Sequence, residues 1–205
     1  MFGDDIPSPI DLRLMPDASD WEASAATKRP WRSEFFAAFG AALVGATHPV
    51  RRVLELGSGP GFLAEVLLRE LPDISYIALD FSAAMHQLAA TRLGSAADRV
   101  RFVERSFRDE EWADGLGLFE AIVTNQAVHE LRHKRHALPL HMRARGLLLA
   151  GGSYLVCDHF LGEGGMSNDQ LYMSVVEQRE ALLQAGFSRA DELLVKGGLV
   201  LHHAT

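Results

Sequence analysis

A glycine-rich segment, VLELGSGPG, occupies residues 53 to 61 and contains three glycines within five positions. Gly57, Gly59 and Gly61 carry no side chains, so the chain can turn tightly there and a ligand can lie against the main chain. A helix that starts at this turn would offer free N–H groups to an anionic part of the ligand. The segment therefore predicts a ligand site where a first strand turns into a first helix.

Two acids flank the three glycines and restrict the class of ligand that could bind there. Glu55 precedes the glycines, and Asp80 ends the next apolar run, about 20 residues further along, which suits a carboxylate that binds ribose hydroxyls. A dinucleotide site would require a small residue where this chain has Phe62. The pattern favours a ribose-containing ligand other than a dinucleotide. Solvated acids at the ends of two strands are the alternative interpretation.

A second polar segment, NQAVHE at residues 125 to 130, follows another predicted strand and would face the same edge of the sheet. His129 is the candidate for a general base or a substrate-orienting group, because the unperturbed pKa of histidine lies near neutrality. A structural, inert histidine is the alternative. Asp158 and His159 end a later predicted strand on this edge. They are candidates for the substrate pocket, or else they cap the strand.

Three histidines of the segment HELRHKRH invite comparison with a metal site. His129, His133 and His136 are spaced so that a helix would present them on one face. Three basic residues lie among them and would repel a metal cation. We therefore interpret the segment as a solvated helix face and expect no metal ion.

Alternating strand and helix patterns position these segments. The predicted strands are 51–56, 74–79, 100–104, 119–124, 153–157, 190–195 and 199–203, and the predicted helices are 60–71, 82–93, 132–149 and 169–185. This alternation predicts an α/β fold of the Rossmann-like, doubly wound type, with a seven-stranded and mostly parallel sheet. Gly197 and Gly198 separate the last two strands, which predicts a C-terminal antiparallel hairpin.

An N-terminal helical arm is expected before the sheet domain. We place the boundary between an arm or lid of residues 1–48 and a ligand-binding domain of residues 49–205. Residues 1–19 are rich in Asp, Pro and Ser and are predicted to be loose. Residues 21–44 have a helical pattern that Pro30 interrupts.

Aromatic residues of the arm are candidates for a roof over the substrate. Trp21 and Trp31 are flanked by polar residues, which favours a place in the pocket. For Phe35 and Phe36 we favour simple packing on the sheet domain.

Composition restricts the class of protein. The chain has 205 residues, a net charge of −7 and a single cysteine, Cys157, in an apolar run that predicts a buried position. The length suffices for one sizeable core, and the acidic balance disfavours a protein that mainly binds nucleic acid. The first ten residues lack the basic and apolar stretches of a secretory signal, and no apolar run has membrane-spanning length. We expect a cytoplasmic monomer or homodimer with no nucleic acid or membrane partner.

These segments resemble the motifs of the class I S-adenosylmethionine-dependent methyltransferases over roughly residues 50–205. VLELGSGPG resembles the first motif, LDFSAAM the second, RVRFVERSF the third and AIVTNQAVHEL the fourth. The chain departs from the family pattern at Ser106, where an aspartate is common, and at Ala150, where a proline usually precedes the glycine pair. The resemblance implies S-adenosylmethionine as the cofactor.

The resemblance also implies the contacts of that cofactor. Asp80 would bind the ribose, Phe81 and Met85 would flank the adenine, and the glycine segment would lie under the methionine part. The implied cofactor-binding residues are Glu55, Gly57, Ser58, Gly59, Gly61, Asp80, Phe81, Met85, Ser106, Phe107 and Asn125.

Methyl transfer by in-line displacement from a sulfonium is the reaction that the resemblance implies, and holding two partners in line can supply much of its catalysis. The short stretch between the fifth strand and the last helix leaves no room for a separate substrate domain, which favours a small-molecule acceptor. A protein or RNA methyltransferase and a non-catalytic, cofactor-binding regulator are the alternatives. A nicotinamide oxidoreductase is disfavoured by Phe62.

Overall fold

A seven-stranded sheet forms the centre of the computed structural model, which describes residues 5–205. The strands lie in the order β3-β2-β1-β4-β5-β7-β6. Strands β1 to β5 are parallel, and β7 is antiparallel to both of its neighbours. The strands are β1 Arg52–Leu56, β2 Ser75–Asp80, β3 Val100–Glu104, β4 Phe119–Asn125, β5 Leu148–His159, β6 Ala190–Lys196 and β7 Leu199–Ala204.

Six α-helices of residues 5–205 surround this sheet. They are α1 Met15–Lys28, α2 Arg32–Val44, α3 Phe62–Glu70, α4 Ala83–Leu93, α5 Ala137–Gly146 and α6 Val175–Gln184. Short 3₁₀ segments at Gly94–Arg99, Val128–Leu131 and Lys134–His136 lie in the connections. The predicted Rossmann-like fold, with its parallel strands and C-terminal hairpin, is confirmed.

Apolar side chains cover both faces of the sheet, as expected for parallel strands enclosed by helices. Successive residues of β1 alternate between two cores: Val53 packs in the cluster that includes α2 and α3, whereas Leu54 and Leu56 pack in the cluster that includes α5 and α6. Cys157 is fully buried on the α2 side. The predicted core position of this cysteine is therefore confirmed.

The prediction of one helix over 132–149 is wrong. Arg132 has a φ of 66°, in the left-handed region that ends a regular helix, and α5 begins only at Ala137. Pro139 falls in the first turn of α5, where its missing N–H costs no helical hydrogen bond. His129, His133 and His136 consequently do not share one helical face.

Two further helix starts differ from the prediction. The last helix begins at Val175 and not at 169, because Ser174 and Glu177 form a reciprocal capping box that fixes the start. The first helix of the sheet domain begins at Phe62, after Gly61 in a left-handed conformation, so Pro60 lies in the loop before it.

The arm is more ordered than the loose segment predicted over residues 1–19, of which residues 1–4 lie outside the described part. Helix α1 already begins at Met15 and packs on α4 through Ala18 and Met85. Phe35 and Phe36 are buried in the core beside α3, so the packing role favoured for them is confirmed. The domain boundary near residue 48 stays a prediction. Within residues 5–205, no helix combines the length and apolar character needed to cross a membrane.

Candidate functional site

A cavity of about 250 Å³ opens at the carboxyl ends of the central strands. Loops after β1, β2, β4 and β5 form its floor and walls, and α1 with the start of α2 forms its roof. Ligands bind at this edge in doubly wound sheets. The lining includes Leu12, Trp21, Lys28, Arg29, Arg32, Glu55, Gly57, Ser58, Gly59, Phe62, Asp80, Phe81, Met85, Phe107, Asn125, Gln126, His129, Glu130 and His159.

The glycine segment turns tightly beneath the cavity. Gly57 N–H and Ser58 N–H both donate to the Leu79 carbonyl, at 2.8 and 3.0 Å, and so join the loop to the end of β2. Gly57 has a φ of +67° and a Cβ there would lie 2.3 Å from the Cβ of Ala127. Gly59 has a φ of +53°, but a Cβ there would meet nothing within 4 Å.

Replacing Gly57 with alanine is expected to lower the free energy of unfolding by about 3 kcal/mol, because left-handed strain adds to overlap with Ala127. Gly59→Ala is the matched control, since it introduces the strain without the overlap, and about 1 kcal/mol is expected. Urea unfolding of both variants measures the difference. Equal losses would show that the approach to Ala127 does not matter.

Asp80 ties the ends of two loops together and is only 5% exposed. Its Oδ2 accepts from Gly59 N–H at 2.8 Å, and its Oδ1 accepts from Ser82 N–H at 3.0 Å. Burial raises the pKa of Asp80 to about 6, although the amides of Gly59 and Ser82 act in the opposite direction. At neutral pH the carboxylate is therefore ionised and still has lone pairs to offer to hydroxyl groups.

Glu55 lies deeper, with Oε2 accepting from the Tyr76 hydroxyl at 2.8 Å. The pKa of Glu55 is raised to about 8, mainly by burial and in smaller part by the charge of Asp80. The hydrogen bond from Tyr76 acts in the opposite direction. A group whose pKa is raised by folding stabilises the fold below its unfolded pKa, and this stability is lost as the pH rises through the folded value.

A Glu55→Gln variant is expected to gain stability relative to the wild type as the pH rises from 5 to 9, by about 4 kcal/mol. The neutral amide keeps an oxygen for the Tyr76 hydroxyl but cannot ionise. Urea unfolding of the cofactor-free proteins at several pH values measures the difference, with Glu65→Gln as the exposed control. A difference that does not change with pH would contradict the assigned cause.

His129 lies between two carboxylates on the β5 side of the cavity. Its Nδ1 is 2.7 Å from Asp158 Oδ1, its Nε2 is 3.2 Å from Glu130 Oε1, and its backbone N–H donates to Asp158 Oδ2. Burial alone would lower the pKa of His129, but Asp158 and Glu130 outweigh it and raise the pKa to about 10. A pKa raised this far favours the orienting role over that of a general base, and the role of His129 stays a prediction.

His159 has the opposite character. Burial lowers its pKa to about 4, so its ring is neutral, and its Nε2 accepts from Arg29 Nη2 at 2.9 Å. His129, Asp158 and His159 form a possible metal-ligating group among the described residues, with ligand atoms within 4.8 Å of one another. The Arg29 guanidinium already uses His159 and would oppose a metal cation. The group is therefore better described as a hydrogen-bonded network.

Three cavity residues present buried polar atoms without partners. Ser58 Oγ, Asn125 Oδ1 and Gln126 Nε2 have no hydrogen-bond partner within the described part of the chain. Gln126 is also one of two non-glycine residues there with a positive φ, at 57°. Orphaned polar groups are costly unless a ligand or water satisfies them. These atoms fit a polar ligand, and the bare glycine loop beside them fits one that lies against the main chain.

Most predicted site residues line this cavity, but four do not. Gly61 lies just beyond the lining part of the glycine segment, where a Cβ would approach Ala89 to 3.1 Å. Ser106 lines an adjoining pocket of about 120 Å³, together with Phe81 and Phe107. Asp158 lies behind His129, and its oxygens are used by the backbone and ring of that histidine. Trp31 packs at the terminal hairpin, where a Cβ on Gly197 would lie 2.2 Å from its ring. The substrate role expected for Trp31 is therefore not supported by its position.

Sequence reasoning missed the cationic roof. Three basic residues line the cavity: Lys28 and Arg29 at the end of α1, and Arg32 at the start of α2. The basic run KRPWR at residues 28 to 32, inside an otherwise acidic arm, was the available signal. Glu130 and Gln126 were also missed, although both lie in the NQAVHE segment.

Comparison with known proteins agrees with this geometry. Residues 53–152 match the family model of the methyltransferase domain. A malonyl-[acyl-carrier protein] O-methyltransferase from Paenibacillus sp. (strain JDR-2) is 30% identical over 162 residues, which cover 75% of this chain and 56% of that protein. The chain spans about half the length of the curated relatives it matches.

Solved structures share the fold at low sequence identity. An O-methyltransferase family protein from Burkholderia thailandensis superposes with a TM-score of 0.72 at 18% identity, covering 95% of this chain and 63% of that one. DhpI, solved as a complex with SAH, superposes with a TM-score of 0.66 at 20% identity, covering 96% of this chain and 98% of that one.

The fold, the glycine loop and the family match over residues 53–152 together define a methyltransferase domain. The chain has the fold of the class I S-adenosylmethionine-dependent methyltransferases, and S-adenosylmethionine is the cofactor that this fold and the matched domain indicate.

Proposed function

We propose that this protein transfers the methyl group of S-adenosylmethionine to a small-molecule acceptor by in-line displacement. The observation that carries the proposal is the convergence of the glycine loop, the Asp80 carboxylate and three unpartnered polar atoms on one cavity. The arm helix α1 covers this cavity. Such a cover supports a small acceptor over a macromolecular one.

Cofactor binding is assigned to the side of the cavity formed by β1 and β2. Asp80 would accept from the ribose hydroxyls, Phe81 and Met85 would flank the adenine, and the loop around Gly57 would carry the methionine part. Glu55 lies below that loop and would face the ammonium group. When bound, S-adenosylmethionine supplies an electrophilic methyl group, which an acceptor in line with the carbon–sulfur bond displaces from sulfur.

The acceptor would lie on the β4 and β5 side, beside His129. Since His129 is an imidazolium at neutral pH, we propose that it orients the acceptor and favours an electron-rich acceptor atom, and does not take up the proton itself. Trp21 and His159 would form the walls around the acceptor. The Paenibacillus relative and the Burkholderia neighbour are both named O-methyltransferases, which supports an oxygen as the acceptor atom.

Thermal unfolding tests the cofactor assignment. S-adenosylmethionine and S-adenosylhomocysteine are expected to raise the unfolding midpoint, because a ligand that binds only the folded state stabilises it, whereas NAD is expected to have no effect. Absence of a shift with millimolar S-adenosylmethionine would refute the assignment. Release of S-adenosylhomocysteine in the presence of an acceptor then separates an enzyme from a non-catalytic binder.

A further inference from the structure

Arg29 projects into the cavity from the end of α1 and is held in place by neutral partners. Its Nε donates to Gln126 Oε1 at 2.8 Å, and its Nη2 lies 2.9 Å from His159 Nε2. A guanidinium has five N–H donors. Among residues 5–205, these two contacts are the side-chain hydrogen bonds of Arg29, and neither partner carries a negative charge.

Arg32 is a second cation of the roof and is only 8% exposed. Its guanidinium lies over the rings of Trp21 and Phe62, at 5.5 and 5.3 Å. Its Nε has no hydrogen-bond partner in the described part of the chain. Phe62 begins α3 directly after the glycine loop, so Arg32 stands beside the place assigned to the methionine part of the cofactor.

No acid of the cavity forms an ion pair with Arg29 among the described residues, although the charge of Asp158 favours the guanidinium from a distance. Asp158 directs its oxygens to His129 and to the backbone N–H of His159, and Glu130 pairs with His129 and Arg132. Asp80 lies at the far side, on the ends of β2 and the glycine loop. A cation removed from water is costly unless an anion pairs with it.

The two guanidinium groups, those of Arg32 and Arg29, are expected to pair with different anions. The cofactor brings a single carboxylate, which Arg32 can pair with beside the glycine loop. Arg29 is joined instead to residues at the ends of β4 and β5, which is the acceptor side. The charge of Arg29 is therefore left for a group that the acceptor must supply.

We propose that the methyl acceptor is a small carboxylic acid whose carboxylate is bound by Arg29. Guanidinium groups pair with carboxylates through two parallel hydrogen bonds, and the bonds to Gln126 and His159 hold this one in a fixed orientation. A singly charged carboxylate matches the charge of the one guanidinium that is held on the acceptor side. The exposed Lys28 at the rim of the cavity adds attraction for an anion without a fixed geometry. This inference rests on the proposed function, because it identifies the class of its acceptor.

Binding to the protein saturated with S-adenosylhomocysteine tests the inference without turnover. The probes are a panel of small aryl and alkyl carboxylic acids, each paired with its primary amide, measured by isothermal titration calorimetry. At least one acid is expected to bind and to bind more tightly than its amide. The Arg29→Gln variant is expected to bind that acid about 30-fold or more weakly than the wild type does. The affinity of the variant for S-adenosylhomocysteine is expected to stay within about twofold of the wild-type value.

Two further variants separate charge from position. Arg29→Lys keeps the charge but loses the bonds to Gln126 and His159, so intermediate affinity for the acid is expected. Arg69→Gln removes an exposed arginine of α3 and is the control for net charge. Equal affinity of every acid and its amide, the absence of any acid that binds, or full affinity in Arg29→Gln would overturn the inference. The protein is titrated with S-adenosylhomocysteine before any acid is added. If S-adenosylhomocysteine does not bind, the proposed function fails, and this outcome differs from a failure of the inference about Arg29.

Discussion

Replacement of Asp80 with alanine is expected to weaken the binding of S-adenosylmethionine and S-adenosylhomocysteine by about 100-fold or more. The variant loses the acceptor for the ribose hydroxyls, and hydrogen bonds to a charged group contribute about 1.5–3 kcal/mol each. It also frees the N–H of Gly59, which loosens the glycine loop. Isothermal titration calorimetry with both ligands measures the effect.

The control for this variant is Glu104→Ala. Glu104 is paired with Asp80 in register at the end of the neighbouring strand, but it is exposed and does not line the cavity. Unchanged affinity is expected for it. Asp80→Asn keeps the shape and one oxygen acceptor, so a smaller loss than for alanine is expected. If Asp80→Ala binds both ligands as tightly as the wild type does, the ribose assignment is wrong.

Replacement of His129 with glutamine is expected to lower turnover of an identified acceptor by about 100-fold, within the range for a positioned histidine. The expected cause is loss of the positive charge between Asp158 and Glu130. Affinity for S-adenosylhomocysteine is expected to change little, because His129 lies on the acceptor side. Steady-state kinetics and calorimetry measure the two quantities separately.

The pH dependence distinguishes an orienting cation from a base. The pKa of His129 is raised to about 10, so the imidazolium is present throughout the neutral range and is lost as the pH rises through that value. Activity is expected to fall above about pH 9, and Asp158→Asn is expected to move this fall to lower pH. His133→Gln is the control, because the His133 side chain hydrogen-bonds only to a backbone N–H within residues 5–205. An activity that rises with a pKa near 7, with a rise that is absent in His129→Gln, would instead identify His129 as the base.

Local patterns predicted the parts of the site that lie close together in sequence. The glycine loop, Glu55 and Asp80 are features of strand ends and turns, so their spacing was enough to place them. The environment of His129 was not readable in this way, because its pKa depends on Asp158, which lies 29 positions away in sequence. Arg29 illustrates the same limit, since it meets Gln126 and His159 across 97 and 130 positions.

The break before α5 had a cause that the local pattern did not reveal. Periodicity over 132–149 indicated one helix, but Arg132 adopts a left-handed conformation and uses its side chain to bind the backbone of Ile6 and Pro7. A contact with a distant segment thus outweighed helical propensity, which is a weak preference.

The order in which the chain is synthesised determines when Trp31 can contact Gly197. Strand β7 follows β6 in the chain but pairs between β5 and β6, so β5 keeps an unpaired edge until the last strand has been made. Trp31 lies at the turn between α1 and α2 and packs on the glycine that begins this last hairpin turn. This contact between the roof and the hairpin can therefore form only after both strands of the hairpin have been synthesised, so the cavity roof gains this support late in synthesis.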